Sequence, residues 1–420
     1  VDRKDPIIIV GGGLGGLSTG LALARHGYAV RVLEGAPEFG AIGFGIQFGP
    51  NVFHALDRLG ISAAVLETAD SPPNVMMFDA LSGREVTRVP TGASFRKRFK
   101  YPYIIIHRID LHNVLLDACR REPLITLVPD AMATRFEDST GGVTVLTADG
   151  RSFRGSLLIG ADGIHSRIRA QILADGEPRP NGYMGFRTIV PMREVTADVQ
   201  RDIVALWAGP GFHIVHYPLR HGTLFNIVAV FRRSAHSERG DLAAYRTELE
   251  GVYRNAHPTM KALLAMLDLG RRQAIGDRDP IRHWHKGRVV LLGDAAHPTL
   301  QSLAQGACMA IEDGPCLADC IDSAGGDHEA AFRRFESARS VRTARVTLES
   351  RAIWDVYHAD GIARDVYWQM LGERSEAETF QCLAWLYDGF RFAEGAAAPA
   401  SSQRSSEPRV ADFAPREDGV

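Results

Sequence analysis

Three glycines at Gly11, Gly13 and Gly16, inside the run GGGLGG, have a spacing that exposes backbone N–H groups to a pyrophosphate. Gly11 permits a sharp bend, Gly13 lets the backbone approach the phosphates, and Gly16 lets a helix pack closely on the preceding strand. Leu14 and Gly15 lie within the same turn. Further on, Glu34 ends a second apolar run, where an acid can bind the two hydroxyls of an adenosine ribose. The chemistry expected of this group is dinucleotide binding. On its own G-x-G-x-x-G is often only a glycine-rich turn, so the elements around it must decide.

Those elements fit. Pro6 to Val10 reads as a buried parallel strand, and LSTGLALARHG has helical spacing, with Leu17, Leu21 and Ala24 on one face. Ala29 to Leu33 is the second strand. In AIGFGIQFGPN, residues 41–51, Gly43, Gly45 and Gly49 leave little room for a helix or strand, and the loop is expected to lie against a flat ligand; Gln47 is a candidate polar contact there. Arg108 falls where PYIIIHRIDLHNVLLDACRR passes from strand to helix, a place better suited to a bound phosphate or pyrimidine than to an unsupported cation. Val143 to Leu146 and Phe153 to Ile159 are expected to form a hairpin about Ala148 to Gly150. In LLIGADGIHSRIR, Asp162 and Gly163 sit between a buried strand and a short helix, facing the crevice of an open α/β sheet.

From Tyr183 to Arg232 short strands separated by AGPG and RHG indicate a separate, largely antiparallel sheet. In GFHIVHYP the period of two puts His213, Val215 and Tyr217 on one face and Phe212, Ile214 and His216 on the other. Taken alone, His213 and Tyr217 read as ordinary cross-strand residues. The chain then returns through RVVLLGDAAHPTLQSLAQGACMAIEDG, residues 288–314, and stays helical to about Tyr387. Boundaries follow: a first cofactor-binding part at 1–180, a substrate sheet at 181–280, a return at 281–320, C-terminal helices at 321–395 and a disordered tail at 396–420.

Bulk properties narrow the function. The 48 basic and 50 acidic residues nearly cancel, so no field for nucleic acid is expected. No apolar run reaches a membrane span, and VDRKD leads directly into the first strand, so a cytoplasmic location is the default expectation. Five cysteines without C-x-x-C suggest reduced thiols. Cys316 and Cys320 read as apolar packing, and His283 and His285 lack further ligands for a metal.

Three separated motifs, GGGLGG with Glu34, IGADGIHSRIR, and LLGDAAHPTLQSLAQGACMAIED, resemble the dinucleotide fingerprint, DG motif and GD motif of the single-component flavoprotein aromatic hydroxylases, the para-hydroxybenzoate hydroxylase-like FAD monooxygenases. Their order covers roughly residues 7 to 320. The resemblance implies an α/β chain with FAD in a glutathione-reductase-like Rossmann domain and an antiparallel substrate sheet. It also implies NADH or NADPH as electron donor, without a second Rossmann motif to hold it. Carried over by motif, Gly11, Gly13, Gly16 and Glu34 would bind the ADP half and Arg108 would lie near the phosphates or ring. Asp162 would serve FAD and the nicotinamide donor, and Asp294 would hold the ribityl chain. The backbone at Ala307 and Cys308 would face the pyrimidine edge, where helix N–H groups stabilise negative charge.

Within that family, HRIDLH (107–112), GPGFHIVHYPLR (209–220), HPTLQSLAQGACMAIED (297–313) and the tryptophan-bearing C-terminal helices are most similar to the 3-hydroxybenzoate 6-hydroxylases. Leu300 and Gln301 stand where salicylate 1-hydroxylases tend to carry Pro-His. His216 replaces an expected amide, and Ser302 an aromatic residue. The implied reaction consumes NADH, dioxygen and a hydroxylated benzoate, converting 3-hydroxybenzoate to 2,5-dihydroxybenzoate (gentisate) through a flavin hydroperoxide. Because a phenolate is attacked far more readily than a phenol, His213 is assigned as base, Tyr217 as partner of the carboxylate or a ring substituent, and Gln301 as the residue that orients the hydroxyl. Competing readings are a salicylate or hydroxypyridine carboxylate hydroxylase, a nicotinamide-only dehydrogenase, and a flavin-binding scaffold. Trp354, Tyr357, Trp368 and Trp385 are expected to pack in a core or a homodimer.

Overall fold

The computed structural model describes residues 5–40, 43–234 and 240–392; the tail read from the sequence as disordered lies outside them. Fully apolar runs form the central sheet. Its strand order is His285–Lys286, Val289–Leu291, Leu157–Gly160, Ile7–Val10, Val30–Leu33 and Ile125–Val128, and all neighbours are parallel except the first pair. Burial on both faces explains why IIIV and LLIG show no alternation. The helix Leu14–Arg25 covers one face and packs against the helix Gly306–Ser323, so the first and third motifs lie side by side.

The segment read as one strand from Phe153 to Ile159 divides at Ser156. Ser152–Gly155 closes a three-stranded meander with Gly142–Thr147 and Ala133–Ser139, and Leu157–Gly160 then enters the central sheet.

A second sheet runs Arg272–Asp277, Arg179–Pro191, Leu224–Arg232, Phe212–Leu219, Val204–Gly209, Asn74–Asp79 and Glu85–Pro90. It is antiparallel except where Val204–Gly209 lies parallel to Asn74–Asp79. Two of its strands therefore come from before residue 181, which a division by sequence position does not anticipate. Phe212, Ile214, Phe225, Ile227 and Phe231 fill a core on its far side with Tyr245, Tyr253 and Met260 from the helices Leu242–Val252 and Pro258–Ala265.

The glycine loop departs from expectation. Gly45–Phe48 is a strand, antiparallel to Ile104–His107. Gly45 supports this arrangement by having no side chain, since a Cβ there would lie 2.4 Å from the Tyr217 ring. The C-terminal helices His328–Tyr357, Gly361–Gly372 and Glu376–Tyr387 close one side, burying Trp354 and Trp368. No helix among the described residues is long and apolar enough to cross a membrane.

Candidate functional site

At the fingerprint turn, glycine is required for two separate reasons. Gly11 has φ +112°, and a Cβ there would stand 2.3 Å from the Ala161 carbonyl oxygen; one at Gly16 would stand 1.9 Å from the Gly11 carbonyl. Gly15 faces Leu292 and Ala310, and Leu14 is buried. Gly13 differs: a Cβ there would meet nothing within 4 Å. It caps the helix Leu14–Arg25 without a side-chain acceptor, so no side chain satisfies the first helical N–H groups. That cradle fits a pyrophosphate. Glu34 sits beside it, accepting from Gly12 N at 2.8 Å and Ala36 N at 2.8 Å. His112, which the sequence did not single out, bonds Gly12 O at 2.8 Å and holds the turn from beneath.

The second motif is tied to the third. Arg169 donates to the carbonyls of Ala295 and Ala296 at 2.9 and 2.8 Å. Asp162 accepts from Ser166 Oγ at 2.5 Å and Arg167 N at 2.8 Å, so its carboxylate caps the helix Arg167–Leu173 and shapes the turn. Burial raises its pKa above the ordinary carboxylate value, beyond what those bonds recover.

Asp294 lies in the one-turn helix Gly293–Ala295. Its side chain reaches solvent although protein closely surrounds it. Burial pushes its carboxyl up, with His297 and Arg108 opposing. Arg108, first residue of the helix Arg108–Arg120, is exposed and has no ion-pair partner among the described residues. Beyond the Gly293–Ala295 turn, Ala304 at φ +53° leads into the helix Gly306–Ser323, which also lacks a side-chain cap. Ala307 and Cys308 thus present unpaired N–H groups. Burial keeps Cys308 a thiol.

Beneath this surface is a buried charge network. Asp313 Oδ2 accepts Gly293 N at 2.9 Å and meets His297 Nε2 at 2.7 Å; Arg339 donates to Asp313 at 2.8 Å and to Glu312 at 2.6 Å. Asn51 Nδ2 bridges Gln305 and Glu312 at 3.0 and 2.8 Å. His297 is therefore a structural hydrogen-bonding group.

On the second sheet, His213, Val215 and Tyr217 share the face expected of them, opposite the far core that Phe212 and Ile214 enter. His216 goes with the latter and accepts Trp207 Nε1 at 3.0 Å, so its place is in packing. The Tyr217 hydroxyl interacts with Gln47, whose Oε1 also accepts from Tyr103 at 2.6 Å; burial keeps the Tyr217 phenol protonated. Gln301 Oε1 accepts from Arg187 at 2.8 Å, which turns its amide N–H groups outward. Arg187 has no carboxylate partner among the described residues, and burial lowers its pKa, with Tyr217 opposing and Arg108 adding. His213 Nδ1 lies 2.9 Å from His358 Nε2, and its ring meets Trp354 and Tyr357 edge-on at 5.2 and 5.8 Å. Tyr357 donates to the Ser302 carbonyl at 3.3 Å, and Ser302 Oγ to that of Ser350 at 2.6 Å. Contacts thus link His213 to the Gln301 loop and that loop to Arg187, beside Tyr217 and Gln47. Sequence reading missed Arg187 and His358, which lie outside the quoted motifs, gave no role to Tyr103 within PYIIIHRIDLHNVLLDACRR, and took Trp354 only as a packing residue. A separate pocket lined by Arg246, Tyr253 and Lys261 shares none of these residues.

The family model described as "FAD binding domain" matches residues 4–347. The chain is 40% identical over 382 residues to a 3-hydroxybenzoate 6-hydroxylase of Polaromonas naphthalenivorans (strain CJ2), covering 91% of this chain and 95% of that one. It is 38% identical to a 3-hydroxybenzoate 6-hydroxylase of Klebsiella oxytoca, covering 90% and 96%. Among solved structures it resembles Klebsiella pneumoniae HpxO complexed with FAD and uric acid, with a TM-score of 0.79, 28% identity and coverage of 91% and 96%. The open phosphate cradle at Gly13, the solvent-reaching Asp294 and the uncapped helix at Gly306 fit the same cofactor, and the chain belongs to the FAD-dependent aromatic hydroxylases, flavoprotein monooxygenases that draw electrons from NAD(P)H.

Proposed function

We propose that this enzyme hydroxylates 3-hydroxybenzoate para to its phenol, giving 2,5-dihydroxybenzoate (gentisate), with NADH as donor. The observation that carries the reading is Arg187: a largely buried guanidinium with no carboxylate partner among the described residues, beside Gln301 and Tyr217 and linked through the Gln301 loop and Tyr357 to His213. A cation so placed calls for an anion. The carboxylate of an aromatic acid supplies it, and the relatives named for 3-hydroxybenzoate support the choice of ring.

When bound, FAD supplies activated oxygen after reduction by the nicotinamide donor. The ADP half would lie along Gly11 to Gly16, including Leu14 and Gly15, with Glu34 at the ribose. Arg108 would lie near the phosphates, Asp162 would shape the turn beside them, Asp294 would hold the ribityl chain, and the N–H groups at Ala307 and Cys308 would face the ring edge. The remaining work falls to the chain's own side chains. Arg187 and the protonated Tyr217 hold the carboxylate, with Gln47 fixing the tyrosine. His213 takes the phenol proton, raising electron density on the ring. The outward amide of Gln301 donates to the phenolate oxygen and orients it.

The test is a screen of 3-hydroxybenzoate, salicylate and 6-hydroxynicotinate for stimulated oxidation of NADH and NADPH with equal dioxygen uptake. Products are identified by mass and retention. The expected result is coupled turnover of 3-hydroxybenzoate to the 2,5-dihydroxy product. Faster coupled turnover of either other acid would overturn the substrate assignment.

A further inference from the structure

This inference rests on the reading of His213 as base. Burial, with His358 adding to it, drives the His213 pKa well below the ordinary imidazole value, so a lone imidazolium at this position is strongly disfavoured. The ring is not alone. Its Nδ1 lies 2.9 Å from His358 Nε2, the two rings stack with centroids 5.0 Å apart, and both are almost wholly buried. Burial lowers His358 to about 3, so at neutral pH the pair is uncharged and one hydrogen lies between the two nitrogens.

The second ring nitrogen of His358, Nδ1, is sealed from solvent and has no hydrogen-bond partner among the described residues. The shared hydrogen can belong to either ring, and the reading of His213 as base selects the tautomer of His358 with hydrogen on Nδ1 and a lone pair on Nε2. His213 Nδ1 must then be the donor, and His213 Nε2 is left bare. That is the form a base requires.

We propose that His358 is a positioning residue for the hydroxylation, holding His213 with Nε2 bare and accepting the proton of its Nδ1 as Nε2 receives the proton of the substrate phenol. The phenol O–H bond breaks as the His213 Nε2–H bond forms. The His213 Nδ1–H bond breaks as the His358 Nε2–H bond forms. The substrate becomes a phenolate and the positive charge rests on His358.

His358 is the better place for that charge, because it caps the C-terminus of the 30-residue helix His328–Tyr357, where the helix dipole favours a cation. The titratable and charged groups around the pair come from several elements. Tyr183 of the strand Arg179–Pro191 stacks on His358 at 4.6 Å, and Arg232 at the end of Leu224–Arg232 opposes its protonation. Tyr357 meets the His213 ring from the long helix itself.

The test uses the FAD-loaded enzyme with 3-hydroxybenzoate. It follows the phenol-to-phenolate absorbance of bound substrate against pH, together with product formed per NADH. His358→Leu should raise the apparent pKa of the bound phenol by a unit or more and cut coupling at least tenfold at neutral pH, with FAD content unchanged and the deficit closing as pH rises. His358→Gln, whose amide oxygen accepts from His213 Nδ1 but takes up no proton, should restore part of the coupling while the phenol pKa stays raised. Wild-type phenol ionisation and coupling in His358→Leu would overturn the proposal; should that variant fail to fold, wild-type ionisation in His358→Gln would do so. Loss of coupling in His213→Ala with none in His358→Leu removes only the role of His358. Unchanged coupling in His213→Ala removes the base itself.

Discussion

Two charged side chains near the cleft show why residue type alone does not define a role. Arg108, exposed at a helix start, and Arg187, largely buried on a strand, are both arginines without a carboxylate partner among the described residues. Only the second is surrounded closely enough that an unpaired charge is costly, so only it demands an anion from the substrate. Hydrogen bonds to charged groups are worth roughly 1.5–3 kcal/mol. Arg187→Gln should therefore raise KM for the aromatic acid by about ten- to a hundredfold with FAD affinity unchanged. Steady-state kinetics with the acid and with its methyl ester checks this, since the ester should discriminate little between the two enzymes. The candidate bases also divide by environment. His213 and His216 lie three residues apart in one strand, and the alternation that separates them is legible in the sequence; that His216 meets Trp207 while His213 meets His358 is not.

At the scale of elements, the helix Gly306–Ser323 carries the site because its opposite face is anchored. Glu312 and Asp313 are fully buried beside Arg339, which is itself fully buried. Burial pushes both carboxyls up, but Arg342 and Arg339 outweigh it for Glu312, and His297 and Arg339 for Asp313, so both end below their ordinary values. A carboxylate with a depressed folded-state pKa stabilises the fold above its unfolded pKa of about 4, and that contribution is lost as pH falls through the lower folded value. The network should thus hold at neutral pH and fail in acid below about pH 4. Arg339→Leu leaves two buried carboxylates short of their cation and should cost about 3–5 kcal/mol. Chemical denaturation of the FAD-loaded protein measures the loss, and the gap between variant and wild type should narrow as the pH is lowered.

At the scale of the molecule, three distant turns converge because two layers bring them together. The parallel sheet places the fingerprint turn beside Ala161, and Arg169 links the loop after that strand to the turn following Val289–Leu291. The second sheet then supplies the far wall. Gly13 offers a direct check that the resulting space belongs to the cofactor. Its φ of −76° is open to any residue, and a Cβ there meets no protein atom within 4 Å. Gly13→Val should leave the thermal stability of the cofactor-free chain within about 0.5 kcal/mol of wild type. Its FAD affinity should fall at least tenfold, read by fluorescence titration. Equal FAD affinity would show that the turn is not the phosphate cradle.

Local patterning was enough to indicate the strands Ile7–Val10, Val30–Leu33, Leu157–Gly160 and Val289–Leu291, the fingerprint helix, the strand-to-helix junction at Arg108 and the shared face of His213 and Tyr217, but not the edge strand Ile125–Val128. Apolar period and glycine placement act over a few residues and are written in the chain itself. The glycine loop was misjudged as irregular because its pairing partner, Ile104–His107, lies far along the chain and a glycine-rich strand has little intrinsic preference of its own. For the same reason Asn74–Asp79 and Glu85–Pro90 joined the second sheet unannounced.

By itself, then, the order of residues determined which groups could bind a dinucleotide and which side of one strand would carry a base and a hydroxyl. The tertiary structure alone decided which of many arginines would be buried beside Gln301 and which histidine would stand 2.9 Å from His213. Burial and tautomer depend on neighbours supplied by distant segments, and no local period encodes them.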